Sequence, residues 1–391
     1  MKIRHASRSL LLAVATALVV AACGGTDSSE PAPAPAPAPG NESSAPEAAE
    51  PFDVETYFEG KTIRFFTSSG AGGGTDLAMR TLASQLPKYI PGEPAIRVSN
   101  IRPHVAGMNF LWEAPADGLT VALFSAPTLE FEYNEGATWN SAEFEYIGAI
   151  DNQCQSMMLM RGNLGYSTVQ DVIGSTGPAL VTFAAAATPA DVEPFVVSSM
   201  LIADYLDIPL EVKRVAEEGT SATFLALERG EINMARMGTS WCQLPDFQPG
   251  WLEDGFVIPF LDVALSGKAD YMPPVVEELG LRPPHVSELL TPEQYAEWQG
   301  IVAATRAGGT PLTLPPGTPD EIVQAWRDIW AAAFADEDFV EAVTVGYGGS
   351  DLVIMDGETA SEMFTQNRAL LDANRDSAAA TIERLFAKYV N

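Results

Sequence analysis

Residues 62–100 limit the fold more than any other stretch. "TIRFF" (62–66) has the β-branched and aromatic content of a strand. The next residues, "SSGAGGGTDLAMR" (68–80), pack four glycines and an alanine into positions 70–74. A helical pattern follows from Thr75 to Ile90, with Ala78, Leu82, Leu86 and Ile90 on one face, Thr75 as its expected N-cap and Pro91-Gly92 as its stop. A second strand, "AIRVS" (95–99), comes next. Strand, helix and strand in that order predict a parallel pair joined by a crossover helix, which places the chain in the α/β class.

The same alternation continues. "AGMNFLWEA" (106–114) reads as helix and "LTVALF" (119–124) as strand. "FEYIGAI" (144–150), "CQSMMLM" (154–160), "ALVTFAA" (179–185), "LEVKRV" (210–215) and "EINMAR" (231–236) read as strands, with helices expected at 191–205 and 220–229. "IVAAT" (301–305) is expected to be a strand that returns the chain to the first domain, ahead of helices at 319–334 and 358–389.

The amino terminus is not part of this pattern. Lys2, Arg4 and Arg8 precede an apolar run, Leu10–Val20, which ends in Ala21-Ala22-Cys23. This is a secretory signal, expected over residues 1–22. The cysteine after small residues resembles a lipobox, which implies cleavage before Cys23 and lipid on it; an ordinary signal peptide with a free Cys23 is the alternative. Residues 23–53 then read as a tether. Alternating Ala and Pro from Pro31 to Pro39 favour polyproline II, and nothing there can bury a core. Extended, the tether reaches about 80 Å. The rest is long enough for two domains, expected over 54–150 plus 300–391 and over 151–299.

The formal charge of the whole chain is −30. Removing the signal takes away Lys2, Arg4 and Arg8 and no acid, so the balance becomes more acidic. Nucleic acid is excluded as a partner, because few cations are available to neutralise phosphates. A small anion is not excluded, since charges beyond about 8 Å are screened. With Cys23 lipidated, Cys154 and Cys242 remain, either as an extracytoplasmic disulfide or as two thiols. With only 3 histidines and no Cys/His spacing, neither a metal nor a cofactor is expected.

The glycine cluster sits where a strand hands over to a helix. Unpaired amides at a helix start carry partial positive charge, and glycine lets a ligand approach that backbone. An anion seat is one reading and a tight turn is the other. Walker A is ruled out, because Gly-Gly-Gly-Thr-Asp stands where Gly-Lys-Ser/Thr is needed. Neither a Gly-x-Ser-x-Gly elbow nor a metal set is present, so no enzyme activity is expected. Glu217 and Glu218 read as solvated acids.

At this point the sequence resembles a family. Residues 62–100, "APADGLTVALFSAPT" (114–128), "EEGTSATFLALERGEINMARMG" (217–238) and "PLTLPPGTPDEIVQAWRDIWAAAFADEDF" (311–339) resemble, in order and spacing, the solute receptors of tripartite tricarboxylate transporters, TctC/Bug-like periplasmic proteins. Asn233 stands at the family's Asp position. After the second strand, Asn100-Ile-Arg-Pro-His departs from the family's glycine-rich run, with His104 replacing a glycine.

The resemblance implies a two-lobed, type II-like periplasmic binding protein with mixed sheets and a ligand cleft between the domains. It implies hinge closure on a small organic anion, a carboxylate, and delivery to large and small integral membrane subunits. The protein is expected to be extracytoplasmic, membrane-held through lipid on Cys23, and a monomer. A sensor of the same fold, presenting its ligand to a membrane signalling protein, is the other reading. Carried over by position, the first domain supplies Ser68, Ser69, Gly70, Ala71, Gly72, Gly73, Gly74, Thr75 and Asp76. It also supplies Ala106, Gly107 and Met108, then Ser125, Ala126 and Thr128. The second supplies Ala186, Thr188, Gly219 and Thr220. Backbone amides at 70–75 and 106–108 are expected to hold one carboxylate. Arg236, after an apolar strand, pairs a second carboxylate or else makes a surface ion pair. Asp76 binds a ligand ammonium or only favours its helix start. His104 reads as a solvated loop residue, with pH sensing or ligand contact as the other reading. Trp241 is an aromatic wall or core.

Overall fold

A computed structural model describes residues 52–125, 132, 136–152, 156–184, 194–214, 220–264, 272–302, 309–349 and 352–390. After a short helix α1 (Val54–Tyr57), strand β1 (Thr62–Thr67) buries Ile63, Phe65 and Phe66. Helix α2 (Gly74–Gln85) crosses to β2 (Ala95–Asn100), and α3 (His104–Trp112) crosses to β3 (Thr120–Leu123). Both β2 and β3 pair with β1 in parallel, as the strand–helix–strand order predicts. Helix α2 starts one residue earlier than expected. Gly73, not Thr75, is its N-cap, and no side chain caps it. It ends early as well: Pro87 has no N–H, and residues 86–89 form a single tighter turn.

Strand β4 (Glu145–Asn152) belongs to the same sheet. The chain then leaves for β5 (Met157–Arg161), α4 (Val169–Val172), β6 (Leu180–Ala184), α5 (Pro194–Leu206), β7 (Leu210–Arg214), α6 (Thr220–Arg229), β8 (Met234–Met237), α7 (Leu244–Phe247), β9 (Val257–Asp262), α8 (Pro274–Glu278) and α9 (Pro292–Val302). It returns through β10 (Thr310–Leu314), α10 (Asp320–Phe334), α11 (Glu337–Gly346), β11 (Leu352–Asp356) and α12 (Gly357–Tyr389).

The large sheet has the order β11-β4-β10-β3-β1-β2 and is mixed, because β10 runs antiparallel to β3 and β4, and β11 antiparallel to β4. Its strands come from 62–152 and 310–356; those of the smaller sheets, β8-β5-β9 and β6-β7, come from 157–262. Antiparallel pairing puts six connections on one edge. The carboxyl ends of β1, β2, β3 and β4 and the amino ends of β10 and β11 all lie there.

The returning strand is "TPLTL", not "IVAAT". Residues 301–302 are the end of α9, where Ile301 shares a face with Tyr295 and Trp298; 303–305 lie outside the described residues. An apolar run of that length suits either period, and Trp298 three residues earlier decides for helix. Buried Trp298 also donates from Nε1 to Ser198 Oγ at 2.9 Å. Asn233 explains its own departure from Asp. Its Oδ1 accepts from Val181 N at 2.6 Å, while its Nδ2 donates to Ala179 O at 3.0 Å. A carboxylate cannot do the second.

Helix α12, with 33 residues, joins the two sets of sheets. Asp356 caps its start, accepting from Thr359 N at 2.7 Å. Phe364 stacks on Tyr146 of β4, with centroids 4.6 Å apart and an interplanar angle of 9°. At the far end Leu385, Phe386 and Tyr389 enter the core built by Met160, Met200, Leu201 and Trp298. Asp204 of α5 accepts from Arg384 Nη1 and Lys388 Nζ, both at 2.6 Å. The last turns of the chain therefore pack with the smaller sheets, not with the large one. Leu385 is fully buried. Leu385→Ala is expected to lower stability by about 2–5 kcal/mol, read as a lower midpoint in urea unfolding.

Candidate functional site

The site grows from the end of β1. After Thr67 the backbone reverses, and Ser69 N donates to Thr67 Oγ1 at 3.2 Å. Gly73 N donates to Gly70 O at 3.1 Å, and Gly72, with φ +75°, turns its amide onto Asp76 Oδ2 at 2.9 Å. Left-handed φ is what glycine supplies at this position.

Asp76 is buried and faces protein. Its Oδ2 also accepts from Arg80 Nε at 3.0 Å, and its Oδ1 from Asn100 Nδ2 at 2.9 Å. Burial works to raise its pKa, but the bonds from Arg80, Gly72 and Asn100 prevail and hold the carboxyl below its ordinary value. The ligand-ammonium reading of Asp76 therefore falls away: the residue fastens loop, helix and neighbouring strand. The expectation of open amides throughout 70–75 is also corrected, because Gly72 and Gly73 spend theirs on Asp76 and Gly70. The amides of Gly70, Ala71, Gly74 and Thr75 meet no oxygen of the described residues.

Helix α3 lies against this loop. A Cβ on Gly107 would sit 2.7 Å from Ile101 O and 2.9 Å from Ser68 Cβ, so only glycine lets the helix start approach Ser68. The Gly107 amide donates to Pro103 O at 3.1 Å. The Met108 side chain is fully buried with Phe66, Leu111 and Phe124, and so serves the core. Asn109 fastens the 136–138 segment, donating to Gly136 O and accepting from Thr138 N.

His104, read from sequence as solvated, is instead part of a chain of contacts. Its Nε2 lies 3.0 Å from Arg102 Nη1, and its Nδ1 lies 3.0 Å from Ser68 Oγ. Arg102 Nη1 also donates to Ser68 O at 3.2 Å. Burial first, and the Arg102 guanidinium second, push the His104 pKa down to about 3. The sequence signal was an Arg and a His flanking a proline just past a strand end.

Among the residues expected from the second domain, Thr220 opens α6. Ser221 Oγ beside it lies 3.5 Å from the Cβ position of Gly72. The glycine loop and the start of α6 thus face each other at van der Waals distance, and sequence reading stopped one residue short of Ser221. Arg236 stands on β8 opposite Met158, half-buried, with Nε and Nη2 shut off from solvent. Trp241 is buried in a core with Met237, Leu244 and Leu252, so it forms no wall. Cys242 is disulfide-bonded. Ser125 is half-buried just beyond β3. Ala126, Thr128, Ala186, Thr188, Gly219, Cys154, Cys23, Glu217 and Glu218 lie outside the described residues. Among the described residues no group of His, Cys, Asp and Glu could hold a metal, and no helix is long and apolar enough to cross a membrane.

A mixed sheet whose first strand ends in a glycine loop packed against the start of a helix from a second set of strands has solved counterparts. An R. palustris protein with adipate superposes with TM-score 0.57 at 17% identity, covering 83% of this chain and 97% of that one. Periplasmic binding protein BugD gives TM-score 0.56 at 16% identity, covering 85% and 100%. MatC from Rhodopseudomonas palustris with bound malate gives 0.55 at 16%, covering 84% and 99%. The fold is that of a periplasmic solute-binding protein. No protein-family model and no curated protein matches the sequence. In this fold the carboxyl ends of the parallel strands β1, β2 and β3 share one edge of the sheet, and open α/β sheets take ligands outside the carboxyl ends of their strands.

The electrostatics of His104 give a stability test. Its folded pKa lies below its ordinary value of 6.5, so the fold favours the neutral ring. That contribution is complete above pH 6.5 and is lost as pH falls towards 3, because the unfolded chain binds the proton first. The wild-type Tm is expected to fall between pH 6.5 and 4 more steeply than that of His104→Asn, by thermal denaturation across the range. Parallel curves would refute the assignment.

Proposed function

We propose that this chain is an extracytoplasmic solute receptor of the tripartite tricarboxylate (TctC/Bug) type that closes on a small organic dicarboxylate. The observation that carries the reading is the opposition of Gly72 and Ser221. It brings a glycine-rich loop with open amides against the first turn of a helix from the other set of strands. The neighbours solved with malate and adipate support a carboxylate as the ligand class.

In this reading the amides of Gly70, Ala71, Gly74 and Thr75, with those at the start of α3, take one carboxylate. Ser125, Ala126 and Thr128 line the same wall. Ala186, Thr188, Gly219 and Thr220 close from the other side, and Arg236 supplies the cation for the second carboxylate. Hydrogen bonds to charged groups contribute about 1.5–3 kcal/mol each, so a few reach the ~8 kcal/mol of a micromolar complex. A ligand touching both walls favours the closed arrangement. Residues 54–150 with 300–391 and residues 151–299 act as the two lobes, and Cys242 pairs with Cys154. Lipid on Cys23 and the 23–53 tether hold the receptor at a membrane, where it hands its ligand to large and small membrane subunits of a secondary transporter. Presentation to a membrane sensor is the second reading; genes for transporter subunits beside this one favour the first.

Calorimetric titration of the mature protein with adipate, malate and citrate tests the proposal. At least one is expected to bind with a Kd in the micromolar range or below, and Arg236→Met is expected to weaken that binding by about tenfold or more. No binding by any di- or tricarboxylate removes the reading.

A further inference from the structure

A turn at the end of α11 stands where the two sets of sheets meet. Tyr347 is buried there, between Gly346 and the consecutive glycines Gly348 and Gly349, both left-handed with φ of +79° and +77°. The Tyr347 hydroxyl pairs with Thr310 Oγ1, which donates to Ile150 O at 3.0 Å. The chain leaves the large sheet by β4, which holds Ile150, and returns to it by β10, which opens with Thr310. A Cβ on Gly346 would lie 2.6 Å from Thr81 Oγ1 of α2. The turn is therefore fixed to both of these strands and to the helix that follows the glycine loop.

Its other side meets the smaller sheets. Gln243, immediately before α7, donates from Nε2 to Gly346 O at 2.8 Å. A Cβ on Gly348 would lie 3.0 Å from both Cys242 Cβ and Gln243 Cγ, so the missing side chain lets this segment sit on the turn. Cys242 and Leu244, on either side of Gln243, belong to the core of Met157, Met237 and Leu252. Gln243 is 6% exposed, and its Oε1 is shut off from solvent with no hydrogen-bond partner. One end of the amide is thus bonded across the seam, while the other is an unpaired buried acceptor, which is unfavourable. Beside it runs a groove of about 400 Å³, lined by Leu77, Thr81 and Ser84 of α2, Asp246 and Phe247 of α7, and Val345.

We propose that Gln243 is a latch between the two lobes, whose bond from Nε2 to Gly346 O holds them in the approach that brings Ser221 up to Gly72. This rests on the carboxylate-receptor reading above and adds to it a contact, outside the ligand residues, that sets how long a solute is retained. A ligand that touches both walls and the latch favour the same arrangement, so loss of the latch is felt at the ligand. The unpaired Oε1 makes the latch reversible. When the lobes part, water from the groove satisfies both ends of the amide.

The test uses the mature chain with adipate and malate as probes. Gln243→Met keeps the length of the side chain and removes both polar atoms. It is expected to weaken binding of the better probe by about three- to tenfold, through faster dissociation with association nearly unchanged. Gln243→Glu, whose carboxylate cannot donate to Gly346 O, is expected to weaken it at least as much. Spin labels on Ser84→Cys and Asp246→Cys, two exposed positions on different helices of the groove, read the seam directly by double electron resonance. With saturating probe, wild type and Gln243→Met are expected to share one short distance. Without probe, Gln243→Met is expected to show more of the long-distance population. Unchanged dissociation in both variants, even with a lowered unfolding midpoint, assigns Gln243 to packing alone and overturns the latch. Identical distance populations without probe in wild type and Gln243→Met overturn it as well, and either result leaves the receptor reading standing. Absence of binding by wild type to both probes and to citrate overturns the receptor reading, while the distances measured without probe still decide the latch.

Discussion

One buried carboxylate organises the edge of the large sheet where β1 and β2 end. Asp76 draws in the Gly72 amide, the Arg80 guanidinium and the Asn100 side chain, and Asn100 reaches on to Ser69 O at 3.0 Å. Three separate pieces of chain are tied at one point: the loop after β1, the first turns of α2 and the last residue of β2. A buried charge is tolerable only when its acceptor positions are filled. The filling also sets the shape of the loop, because the turn at Gly72 exists to aim one amide at Asp76. The amides left over at Gly70, Ala71, Gly74 and Thr75 owe their fixed directions to this knot. In the proposed anion seat the backbone must not relax, and Asp76 supplies that rigidity through protein contacts alone.

A second constraint comes from Ser68 and Gly107. The absence of a side chain at Gly107 lets α3 descend onto Ser68, at the head of the loop that leads into α2. Each helix start carries partial positive charge on its first amides. On the proposed reading a formal charge of −30 is no obstacle to an anionic ligand: distant acids are screened, while oriented amides a few ångströms away are not.

Much of this was legible in the sequence. Strand–helix alternation predicts the β1–α2–β2–α3–β3 order and its strands closely, because strand and helix periodicity are local signals, while the helix ends differ: α2 stops at Gln85 rather than Ile90, and α3 spans His104–Trp112 rather than 106–114. The order and spacing of the family-like segments pointed to the right architecture. The errors share one physical cause. Thr75 as cap, Asp76 as ligand contact and all of 70–75 as open donors were judged from residue type, yet which donor meets which acceptor depends on Asn100, twenty-four positions from Asp76. His104 was misread for the same reason, since its partners arrive from β1 and from across Pro103. "IVAAT" fails differently: a five-residue apolar run has no period of its own, and the core around Trp298 draws its first two residues into α9. The side chains of Met108, on an expected helix, and of Trp241, after an expected loop, are claimed by apolar clusters.

Helix α12 bears on any motion of the molecule. It is clamped near its start by the Tyr146–Phe364 stack and near its end by Asp204 and the Leu385–Tyr389 cluster. A rod gripped at both ends resists stretching. The gap between the two gripping cores can therefore open by rolling or flexing around that axle far more cheaply than by pulling straight apart. The route of travel is inscribed in the carboxyl-terminal segment, well away from where a solute would sit.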